Sequence, residues 1–122
     1  MELPPAPISI GTARLFSATV ARFFRCEEEA VEDLKLAVSE ACTVAIRTNE
    51  ERGRPVRLAI EGGPNELTFS VRDGGSTVPT DGADDPAEVP GGELIRALFP
   101  HAEVVSNAEG GADVRFSVPT AH

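Results

Sequence analysis

Up to about residue 49 the apolar positions of this chain keep a helical period, and from residue 56 they largely alternate as in strands. Between residue 12 and about residue 25, Leu15, Phe16, Val20, Phe23 and Phe24 recur at helical spacing and predict a first amphipathic helix. Phe16, Val20 and Phe23 complete one stripe, which is the expected core face, and Phe24 is the aromatic most expected to be partly exposed. Three consecutive acids, Glu27 to Glu29, then favour the positive end of a second helix dipole. That helix is expected to run to about Asn49 on a core stripe of Val31, Leu34, Val38, Ala41 and Ala45, and Gly53 and Pro55 end it.

Val56 to Ile60 and Leu67 to Val71 alternate, with Gly62-Gly63-Pro64-Asn65 between them as a hairpin turn. From Gly74 to Gly92 the chain collects Gly, Pro, Asp, Ser and Thr without any period. Such a stretch inside a small domain is generally a functional lid or disordered. A short helix is expected at 93–99, stopped by Pro100. A closing hairpin then pairs Val104-Val105 with the strand Val114 to Val118. The order of elements predicts an α+β fold, a two-layer sandwich of a mixed, mostly antiparallel sheet with helices on one face. Residues 1–122 read as one domain, with a Pro-rich segment at 1–9 that holds at most a short edge strand near Glu2-Leu3, and a lid-like loop at 74–92.

Composition narrows the function. A net charge of −9 argues against a nucleic-acid surface, which needs clustered cations, and suits a basic protein partner or plain solubility. No apolar run is long enough to span a bilayer and the first residues do not form a signal peptide, so a cytoplasmic protein is expected. The two cysteines, Cys26 and Cys42, read as buried reduced thiols and not as a disulfide framework. No set of His, Cys and carboxylates shows metal-site spacing, and Ser76, Thr77 and Thr80 have no paired base for nucleophilic catalysis.

The segment from Asp33 to Thr43, followed by Ala45-Ile46, resembles the N-box of anti-sigma-factor serine kinases, the RsbW type within the GHKL (Bergerat-fold) ATPase superfamily. Asp73-Gly74-Gly75 resembles the first glycine box of that family. Gly91 to Leu98 resembles the second box with its helix, and Gly111 to Arg115 the last hairpin. The resemblance runs in order over about residues 10 to 119. It implies a histidine-kinase-like ATPase fold, ATP with Mg²⁺ as cofactor, and a sigma factor or a STAS-domain anti-anti-sigma protein as partner. A homodimer through the sheet is also implied, although the prolines near the N-terminus discourage strand pairing there.

Residue by residue, the resemblance makes Glu40 the general base towards a substrate serine, Asp73 the acceptor for the adenine amino group, and Gly75 and Gly91 parts of the nucleotide cradle. It makes Arg14, on the first helix, a contact to the partner protein. Read without it, Glu40 and Arg14 are a helix-surface acid and a solvated arginine. The chain departs from the family at several positions. Val44 stands where the Mg²⁺-binding Asn belongs, and a branched hydrocarbon cannot ligate a hard cation. Arg47 shares that face but carries the wrong charge, and Asn49 lies about 180° around the helix from Glu40. Thr48 replaces a frequent His, Thr77 an expected glycine, and Ala112 the hairpin Thr. The phosphate-binding GxG reads Val89-Pro90-Gly91, in which Pro90 has no N–H to donate. No basic residue lies between Arg72 and Arg96, whereas Asp73, Asp81, Asp84, Asp85 and Glu88 are acidic.

ATP and Mg²⁺ binding is therefore expected to be weak or absent. The reading that results is an anti-sigma-like regulatory protein with a degraded nucleotide site and feeble or no kinase activity. Two alternatives stand beside it: an active ATP-dependent serine kinase of a STAS-domain antagonist, and a protein-interaction domain unrelated to sigma regulation.

Overall fold

The computed structural model describes residues 1–49, 53–72, 92–106 and 112–120. In chain order the elements are β1 (Glu2–Leu3), α1 (Ile8–Phe23), α2 (Glu28–Asn49), β2 (Val56–Gly62), β3 (Glu66–Arg72), α3 (Gly92–Leu98), β4 (Glu103–Ser106) and β5 (Ala112–Pro119). The five strands form one sheet in the order β1-β2-β3-β5-β4. All four pairings are antiparallel, so among the described residues the sheet is not mixed.

Strand alternation separates the two sides of the sheet. Leu58, Leu67, Phe69, Val71, Val114, Phe116 and Val118 are buried in one core with the helices, while Thr68, Ser70, Arg115 and Ser117 lie on the opposite, more exposed side. Phe116 is stacked between Phe69, at 5.7 Å between ring centroids, and Phe99, at 4.5 Å. This column fastens the end of α3 to the middle of the sheet. The guanidinium of Arg96 donates to the carbonyl of Ala102, which fixes the turn between α3 and β4. The lid-like loop at 74–92 lies outside the described residues apart from Gly92, which opens α3 and is buried.

α1 begins at Ile8, one turn earlier than the apolar spacing predicts, with Pro7 immediately before it. It ends in a Schellman motif. Cys26 N–H donates to Ala21 C=O and Arg25 N–H to Arg22 C=O, while Arg25 takes the left-handed conformation at φ 61°. Arg22 then grips Glu28 across the turn with two hydrogen bonds of 3.0 and 3.2 Å. This contact holds the Glu28 carboxyl below its usual range.

The orientation of α1 corrects the sequence reading. Its buried residues are Ser9, Ala13, Ser17, Ala18 and Ala21, all small, and this side packs on α2. Phe16 and Phe23 were expected to supply core, yet they are 37% and 80% exposed, while Phe24, expected to be partly exposed, is 45% exposed. Small side chains four residues apart let two helix backbones approach closely, and the bulky residues are thereby turned outward.

α2 follows the expected stripe of Val31, Leu34, Val38, Ala41 and Ala45, and the stripe continues through Cys42 and Ile46 to Asn49. The Asn49 side chain is fully buried, and neither Oδ1 nor Nδ2 has a hydrogen-bond partner among the described residues. An unsatisfied buried amide costs roughly 1–3 kcal/mol. Asn49→Leu, of similar branched shape, is therefore expected to raise the unfolding free energy by about 1 kcal/mol. The result would be read as a higher urea midpoint at unchanged m-value.

Both cysteines are buried and free. Burial pushes the Cys42 thiol up to about 12, and moves Cys26 in the same direction. The folded state then keeps a proton that the unfolded chain has lost, so stability must fall as pH rises from about 9, where an unfolded thiol ionises, towards 12. Denaturant midpoints measured against pH should show that decline, and Cys42→Ala should flatten it.

Candidate functional site

α2 places the candidate residues by its period alone. Glu40 and Val44 are one turn apart and share a side of the helix with Arg47. Glu40 is partly exposed, Arg47 is exposed, and Val44 is only 8% exposed. α3 lies beside α2, with Ile95 buried in the shared core. Asn49 is in the core, on the other side of α2 from Glu40, as its spacing predicts.

The hydroxyls near this edge are already committed. Ser39 Oγ donates to Lys35 C=O at 2.7 Å, Thr43 Oγ1 to Ser39 C=O at 2.7 Å, and Thr48 Oγ1 to Val44 C=O at 3.0 Å. Each is a bond back to the preceding turn, which leaves the hydroxyl hydrogen unavailable to a ligand. Sequence reasoning missed this arrangement, although hydroxyl residues spaced four and five apart along one helix were its visible sign.

Glu40 itself takes no hydrogen bond and forms no ion pair among the described residues. Its carboxylate is free to accept a proton from a group brought to it. For Mg²⁺ the donor set is poor. Val44 offers only methyl groups, and no cluster of three metal-binding side chains occurs among the described residues.

Asp73, Gly75 and Gly91 lie outside the described residues, as do Thr77, Val89 and Pro90. Arg14 is described. It is exposed on α1 and makes no hydrogen bond or ion pair among the described residues. α2 therefore brings Glu40 and Val44 to one edge, and Arg14 stands apart on the neighbouring helix.

Among the described residues, a cleft lies elsewhere. It encloses about 580 Å³ between β5 and the turn after α3, where Phe99, His101, Arg115 and Ser117 are among its walls. Neither Glu40 nor Val44 lines it. No helix among the described residues is long and apolar enough to cross a membrane.

Comparison with known proteins identifies the family of this fold. A serine-protein kinase RsbW from Bacillus velezensis is 34% identical over 83 residues, which cover 66% of this chain and 52% of that protein. The chain thus spans about half the length of this curated relative. The family described as the histidine kinase-like ATPase domain matches residues 3–118, nearly the full length of the fold, with Glu40 and Val44 on its second helix. This chain belongs to the histidine kinase-like ATPase domain family.

Proposed function

We propose that this chain is an anti-sigma-like regulatory protein that holds a sigma factor or a STAS-domain anti-anti-sigma protein, and that its nucleotide chemistry is weak or lost. The observation that carries this reading is Val44. It occupies the helix position one turn after Glu40 and is nearly buried. Phosphoryl transfer depends on positioning and on neutralisation of phosphate charge by the metal. A site without an oxygen ligand at that position loses both, and the acidic run from Asp73 to Glu88 adds repulsion.

Partner binding does not need the phosphates. Arg14 supports it, because an exposed guanidinium without a partner among the described residues is available to a carboxylate on another protein. The reduced, buried thiols of Cys26 and Cys42 suit the cytoplasm, where such a partner would be met. In this reading residues 1–122 act as one domain with residues 74–92 as its lid, and Asp73, Gly75 and Gly91 are remnants of the adenine floor.

A second reading, an active serine kinase, draws support from Glu40, whose carboxylate has no partner among the described residues, as a general base requires.

Calorimetry with ATP and ADP, with and without Mg²⁺, separates the two. Under the proposed reading the wild type binds no nucleotide and Val44→Asn gains Mg²⁺-dependent binding. Micromolar binding by the wild type, together with phosphate incorporation into a STAS-domain protein that Glu40→Gln abolishes, would establish the kinase instead. The partner surface is tested separately. Arg14→Glu is expected to weaken capture of a sigma factor or STAS-domain protein from the same cell at least about tenfold, the size of effect typical of a hot spot. Unchanged affinity would remove Arg14 from the interface.

A further inference from the structure

The outward side of α1 is not a scatter of exposed residues. At about 100° per residue, Ile8, Thr12, Leu15, Thr19 and Phe23 fall within about 80° of one another, with Phe16 at their margin. Ile8 is 77% exposed and Leu15 70%, and with Phe23 these are the three most exposed large apolar side chains described. Thr19 Oγ1 donates to Leu15 C=O at 2.7 Å, whereas Thr12 Oγ1 lies 3.5 Å from Ile8 C=O, so the Thr19 proton is satisfied within the helix. The result is a row of large apolar side chains spaced by two threonines on the side of the helix turned away from α2.

The row is self-complementary. Ile8 and Phe23 are equidistant from the point midway between Leu15 and Phe16, and so are Thr12 and Thr19. Two copies of α1 laid antiparallel about that point set Ile8 against Phe23, Thr12 against Thr19, and Leu15 against Phe16. Large thus meets large at the centre and at both ends, and small meets small between them, as a two-fold interface requires.

Charge selects the same surface. Residues 3–26 contain three arginines and no acid, in a chain of net charge −9. Two such chains repel each other least where the acids are absent. Arg22 is neutralised by Glu28, and Arg14 lies about 100° around the helix from Leu15, off the line of contact. The area is sufficient. At 150–250 Å² for a large aromatic and somewhat less for an aliphatic side chain, the row exposes roughly 500 Å². Two copies would cover about 1,000 Å², the lower bound for a specific interface.

We infer that α1 is a self-association surface, and that two copies of this chain pair through it as an antiparallel two-fold dimer. This does not depend on the functional reading above. It is distinct from the pairing through the sheet that family resemblance implies. The outer sheet residues Thr68, Ser70 and Ser117 are small and polar, whereas α1 carries the large apolar side chains.

Sedimentation equilibrium on the full chain tests it, across a wide range of concentrations. The wild type is expected to dimerise, and Leu15→Glu and Phe23→Glu each to raise the dimer dissociation constant at least about tenfold. Because both side chains are mostly exposed, far-UV circular dichroism should be unchanged. Ser70→Arg, on the outer side of the sheet, should leave the dimer intact. A chain doubly substituted Thr12→Cys and Thr19→Cys should form disulfide-linked dimers on mild oxidation. A wild type that stays monomeric, that assembles without limit, or that forms a dimer indifferent to Leu15→Glu overturns the proposal.

Discussion

The architecture depends on a single helix whose period must serve several neighbours at once. α2 touches α1, α3 and the strands β2, β3 and β5. At 3.6 residues per turn each neighbour receives its own row. Val31, Leu34, Val38, Ala41 and Ala45 fill the core, and the turn from Glu40 to Val44 is what remains at the open edge beside α3. The candidate chemistry therefore cannot be moved without disturbing the core. A substitution that shifted the register of α2 by one residue would displace Glu40 and expose Val38 together. This tie holds Glu40 in place through packing whatever residue stands at position 44.

Much of this was legible in the sequence. Alternation located β2, β3 and β5, and Gly62 to Asn65 located the hairpin, because a half-buried strand must repeat every second residue. Gly53 and Pro55 marked the end of α2, and Gly53 indeed takes the left-handed φ of 66°. The side of α1 that packs was not legible from hydrophobicity. A spacing of Phe16, Val20 and Phe23 shows that a stripe exists and says nothing about what it faces. The overlooked signal was the repeat of small residues, Ser9, Ala13, Ser17 and Ala21, at intervals of four. Asn49 escaped for a related reason, since polarity suggests solvent and the helix period delivers the residue to the core.

For the site, sequence and structure contribute unequally. The spacing of Glu40 and Val44 was sufficient to put them on one edge, and the exposure of Arg14 followed from its place on α1. The engagement of Ser39, Thr43 and Thr48 with the preceding turn belongs to rotamers, which residue type alone does not specify. Asp73, Gly75 and Gly91 carry the resemblance at the other wall and fall outside the described residues, so the adenine side rests on sequence. The local helix edge and the family match nevertheless point to the same scaffold.

The pairing of β1 with β2 bears on how the chain reaches this state. Glu2 and Leu3 bond to Arg57 and Val56, and Leu58 N–H donates to Met1 C=O at 2.9 Å. During synthesis the first strand leaves the ribosome long before its neighbour exists. The helical hairpin of α1 and α2, closed by contacts between near residues such as Arg22 and Glu28, can form while β1 is still without a sheet. Long-range strand pairing is the slower kind of contact, because loop closure must precede it. The outer edge of β2 is thus sealed only by pairings between residues 53 and 55 positions apart, and until then the nascent chain carries an open edge.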